Sequence, residues 1–149
     1  MQAANTQARR ERKTMAIAAT ETTPLIAFTL PSSPYSVQMA RFYVRAALSY
    51  HDLGDYAEDA EIVVSELVTN AITHADARAV GLEVTCMQGA DTLAIVVTDP
   101  CPLPPIKRDP GDGAEHWRGL HLVEALSARW GWRPQDPGKA VFAILTREV

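Results

Sequence analysis

Cysteine is scarce in this 149-residue chain: Cys86 and Cys101 are the only two. They have neither the spacing of a metal site nor the density of a disulfide framework, so both read as small buried or partly buried thiols. Positive charge is also in short supply, with 14 Lys and Arg against 18 Asp and Glu and a net charge of -4. A protein whose main partner is nucleic acid needs a concentrated basic face, and none is evident here. No run approaches the roughly 20 consecutive apolar residues that span a bilayer, and no apolar segment near the N-terminus suits a signal peptide. A soluble, cytoplasmic protein without membrane or nucleic-acid contact is therefore expected.

Hydrophobic residues make up 47% of the chain, enough to fill one core. The positive cluster Arg9, Arg10, Arg12 and Lys13 lies in a stretch without apolar periodicity, so residues 1–22 read as a disordered tail before a single domain over 23–149. The run Leu25 to Leu30, between prolines, suits an edge strand. Val37, Ala40, Val44 and Leu48 repeat at helical spacing within Ser36–Tyr50, with Arg41 and Arg45 on another face. Gly54 breaks that helix, and Asp55 with Glu58 forms a plausible capping box for a second one reaching about Ala75.

Two strand-like runs follow, Val80–Cys86 and Thr92–Thr98, joined as a hairpin. Continuous apolarity from Leu93 to Val97 predicts a central strand covered on both faces. Asp99 to His116 holds five prolines and two glycines and no apolar period, the mark of a long functional loop. A helix over Gly119–Arg129 with Leu120, Val123 and Leu126 inward, stopped by Gly131, precedes a short strand and a last apolar strand, Ala140–Thr146. Strands that do not alternate regularly with helices argue against a doubly wound sheet and for an α+β two-layer sandwich, a mainly antiparallel sheet with helices on one face.

The second helix carries the chemistry. Glu66, Asn70 and His74 stand at i, i+4 and i+8, stacked on one face. Val63, Val64, Leu67, Val68, Ala71 and Ile72 flank them, so the polar row borders a buried surface. A carboxylate and an amide beside such a surface need partners. A magnesium ion carried by phosphates would supply one, since it takes few protein ligands. A solvated helix edge satisfies the same spacing.

The run Val64-Ser-Glu-Leu-Val-Thr-Asn-Ala-Ile-Thr-His-Ala75 resembles the asparagine box of the GHKL ATPase superfamily, and more narrowly that of the bacterial anti-sigma-factor serine/threonine kinases. Further pieces follow in order over about residues 35 to 147: a strand ending in Asp99, a long loop, Arg118-Gly-Leu-His-Leu-Val123, Trp130-Gly131, and Gly138-Lys139 before a final strand. The resemblance implies a Bergerat-type fold that binds ATP with Mg2+. It implies that Glu66 is the general base activating a protein hydroxyl and Asn70 the magnesium ligand. Asp99 would accept the adenine amino group, and Arg118, Gly119 and Leu120 would belong to the nucleotide-binding second glycine box. His74 would give structural support. The implied partners are a sigma factor, an antagonist protein that is phosphorylated, and a second copy in a homodimer, with the first helix part of that surface.

One departure stands out. The superfamily places glycines soon after its aspartate, whereas this chain reads Asp99-Pro-Cys-Pro-Leu-Pro-Pro105, and prolines stiffen the loop and delete amide donors. Trp117 also stands where a small residue is frequent. A nucleotide-binding module that sequesters its partner with little or no catalysis is the alternative this implies.

Overall fold

The computed structural model describes residues 22–74, 77–87, 91–105 and 118–147. The expected tail and most of the loop ahead of residue 118, Trp117 included, lie outside the described residues. The elements run β1 (Thr22–Pro31), α1 (Tyr35–Tyr50), a 3-10 turn (Gly54–Tyr56), α2 (Ala57–His74), β2 (Ala79–Met87), β3 (Thr92–Asp99), α3 (Arg118–Leu126), β4 (Arg129–Pro134) and β5 (Lys139–Thr146). The five strands form one antiparallel sheet in the order β1-β2-β3-β5-β4. This is the α+β sandwich expected from the element order. Among the described residues no helix is long and apolar enough to cross a membrane.

The core lies between the helices and one face of the sheet. Ala40, Val44 and Leu48 of α1 and Val63, Val64 and Val68 of α2 are fully buried there, because each set repeats at the helical period. Leu93, Ile95 and Val97 of β3 meet them at the strand period of two. Exposed Arg45 of α1 grips Glu61 of α2 through Nε–Oε1 (2.7 Å) and Nη2–Oε2 (2.6 Å), and this bond holds the Glu61 carboxyl below its usual range.

Three local expectations are corrected. β3 is central, but only one of its faces is covered: Ala94 and Val96 on the other are half-buried beside Phe142 and Ile144 of β5, so continuous apolarity here reflects an apolar open face. Asp55 sits inside the 3-10 turn, which closes through Tyr56 N to Leu53 O, and does not stand as a cap before it. α3 ends at Leu126, and Arg129 already opens β4. Gly131 is therefore no helix stop. It pairs with Phe142 across the ladder, and a Cβ would come within 2.9 Å of that ring.

Candidate functional site

Period two in β3 settles where Asp99 goes. Leu93, Ile95 and Val97 face the helices, so the next residue of that register does too, and Asp99 ends the strand 5% exposed beneath α2. β5 runs antiparallel to β3 with Lys139 opposite Asp99. Lys139 shares its face with buried Val141, Ala143 and Leu145 and is likewise 5% exposed.

The two charges meet. Lys139 Nζ donates to Asp99 Oδ1 at 3.0 Å and to the Cys101 carbonyl at 3.2 Å, and the Cys101 amide donates to Asp99 Oδ1 at 2.8 Å. Gly138 makes this approach possible. Its φ is +84°, and a Cβ there would collide with the Asp99 carbonyl oxygen and the Pro100 backbone.

Above the ion pair lies a cavity of about 210 Å³. Leu67, Ala71, Val97, Leu103, Pro104, Pro105 and Val141 form its apolar wall, and Asn70, His74, Asp99, Cys101 and Lys139 supply polar atoms. Such a site, apolar with a few convergent polar groups, is the usual form of a small-molecule pocket. Its volume falls below the about 300 Å³ lower end typical of drug-sized ligands, so it suits one ring system of a larger molecule.

The structure thus brings together Asn70, His74 and Asp99, residues from a helix and a strand 25 or more positions apart in the chain. Glu66 stands one turn before Asn70, half-buried, outside the cavity wall, and burial pushes its carboxyl above the usual range. Leu120 of α3 is 3% exposed and packs into the core. Arg118 and Gly119 form the first turn of α3, and their side-chain positions lie outside the described residues.

Lys139 and Cys101 are functional candidates that sequence reasoning did not single out. A usable signal existed for Lys139: a lone cation opening an apolar strand, on the face that strand buries. For Cys101 only its place two residues after Asp99 could have served.

Among curated proteins, none matches the chain. A model of the histidine kinase-like ATPase domain matches residues 30–145, from the end of β1 to the end of β5. That span covers well over half of the sequence and includes the whole cavity wall. The chain therefore belongs to the histidine kinase-like ATPase domain family.

Proposed function

We propose that this protein is an anti-sigma-factor-like regulator that binds magnesium-ATP in the cavity beneath α2, sequesters a sigma factor and phosphorylates an antagonist protein on Ser or Thr. The observation that carries the nucleotide reading is the convergence of Asn70 and Asp99 on one apolar cavity sized for a base. Among the described residues no group of three or more His, Cys, Asp or Glu could hold an ion by itself. A magnesium ion carried on phosphates would take few protein ligands, and Asn70 would hold it through its amide oxygen. The bound nucleotide supplies the transferable γ-phosphoryl group. Asp99 would hold the base, the apolar wall would exclude water, and Asn70 would hold the metal.

Glu66 acts outside the base cavity, one helical turn from Asn70, as the acceptor of the hydroxyl proton. Burial raises its carboxyl pKa, which makes its carboxylate a better proton acceptor than that of an exposed glutamate. The same shift has a sign for stability. A carboxyl whose folded pKa lies above its unfolded one favours folding below the unfolded pKa, and that advantage is lost as pH rises through the folded value. Glu66→Gln is thus expected to abolish transfer to an antagonist substrate while leaving the fold slightly more stable at pH 7.5, by at most about 0.5 kcal/mol since the half-buried group is screened by water. The gain should vanish as pH falls below the unfolded pKa of the carboxyl. Radiolabelled γ-phosphate ATP with antagonist candidates from the same genome tests the kinase reading; transfer that persists undiminished in Glu66→Gln contradicts it.

Cys101 offers a second check. Both thiols are half-buried, but only Cys101 lies on the cavity wall. In a Cys86→Ser background, magnesium-ATP at ten times its Kd is expected to slow alkylation of Cys101 about tenfold, the fraction of sites left empty.

The partner surface we assign to α1. Its outward face exposes Tyr35, Met39, Phe42, Tyr43 and Tyr50 at helical spacing, with Tyr35, Phe42 and Tyr50 more than two-thirds exposed. A run of large apolar side chains along one helix is what a protein contact uses. Sigma factor, antagonist and a second copy all compete for this face in the proposed scheme. The alternative reading, a sequestering module without turnover, is favoured by the proline-rich run after Asp99, which brings Leu103, Pro104 and Pro105 onto the wall in place of glycine amides.

A further inference from the structure

Lys139 is the residue that the proposed chemistry leaves unused. Its side chain is 6% exposed and its partner's 2%. Holding a buried ion pair is a poor way to gain stability, because apolar residues of the same volume serve as well or better. The pair is not sealed in the core, however; both members line the cavity.

The hydrogen-bond inventory shows what they still offer. An ammonium carries three N–H donors. Among the described residues two are spent, on Asp99 Oδ1 and the Cys101 carbonyl, which leaves one. An ionised carboxylate has about four acceptor positions over its two oxygens. Among the described residues the bonds from Lys139 and from the Cys101 amide both fall on Oδ1, which leaves capacity on Asp99 as well. One acceptor and one donor thus stand side by side on the wall of a cavity the size of a ring system. The Cys101 backbone clamps both and fixes their spacing.

We propose that Asp99 and Lys139 read the nucleobase as a pair, the carboxylate accepting an N–H of the 6-amino group of a purine while the ammonium donates to the ring nitrogen beside it. This rests on the nucleotide reading above and adds a specificity residue to it. Adenine fits because its amine is flanked by two ring acceptors, N1 and N7. A purine without the amine leaves Asp99 short of a donor, and one without the flanking nitrogen leaves the Lys139 N–H facing carbon. Leaving a buried charged group unpaired is costly, so each deletion should be felt in affinity.

The test is a calorimetric titration of the full chain with magnesium and ATP, 1-deaza-ATP, 7-deaza-ATP and purine riboside triphosphate. The expected result is that purine riboside triphosphate and one of the two deaza analogues bind about ten- to a hundredfold more weakly than ATP. Lys139→Met should then bind ATP and that deaza analogue equally, while keeping its preference for ATP over purine riboside triphosphate. A lysine that merely neutralises Asp99 would shift all four ligands together. If unaltered protein binds ATP and both deaza analogues with the same affinity, Lys139 does not read the base, whatever the variant does. If it binds none of the four, the nucleotide reading itself falls and this inference with it.

Discussion

Lys139→Met is expected to lower the unfolding free energy by about 3–5 kcal/mol, because it leaves the Asp99 carboxylate buried without its counter-charge. Both groups are 5% exposed, so solvent reaching the cavity replaces the lysine only in part. Adding Asp99→Asn in the same chain should recover most of the loss, since the remaining amide is neutral and can still accept from the Cys101 amide. Urea unfolding of the two single variants and the double variant measures the coupling. Losses that simply add would show that the two side chains do not depend on one another. The large expected cost for one side chain follows from a contact between residues 40 positions apart, fixed by the β3–β5 register.

Asn70→Ala is expected to weaken magnesium-dependent ATP binding by about a hundredfold, because it deletes the amide oxygen assigned to the ion. Stability should change little, as Asn70 is half-buried on the cavity wall and its loss opens no core void. Binding without magnesium should be affected far less. The contrast separates a metal ligand from a residue that only shapes the wall. Asn70→Asp is a useful companion, since it keeps an oxygen ligand while adding charge near the phosphates.

How much of this was legible in the sequence depended on the range of the interaction. The helix row was readable because i, i+4 and i+8 is a local rule, and α2 places Glu66 and Asn70 half-buried on its edge as that rule requires. The inward residues of α1 were readable for the same reason, while its exposed aromatic face went unremarked because periodicity finds what is buried and says little about what is left outside. Gly131 was misread because a glycine after a helical run usually stops it. Here its role is to make room for Phe142, a residue in the next strand. The covering of β3 was overstated because an apolar strand face looks the same in sequence whether a second layer covers it or not.

Non-local pairing accounts for the rest. Asp99 was singled out by the resemblance, as the residue that closes an apolar strand, but nothing near it in sequence announces Lys139 as its partner. That partner appears only when β5 inserts between β3 and β4, which the order β1-β2-β3-β5-β4 requires and a linear reading does not show. Glu66, by contrast, was grouped with Asn70 by spacing, yet the structure separates their surroundings: Asn70 borders the cavity, and Glu66 lies a turn away from it. Under the proposed function, Asn70 would meet the nucleotide and Glu66 the protein hydroxyl.

The most direct measurement is isothermal calorimetry of the full chain with magnesium-ATP, run beside Asn70→Ala. The nucleotide site described here gives saturable binding at one site per chain, largely lost in the variant. A flat titration at millimolar ATP, or equal binding by both proteins, would contradict it.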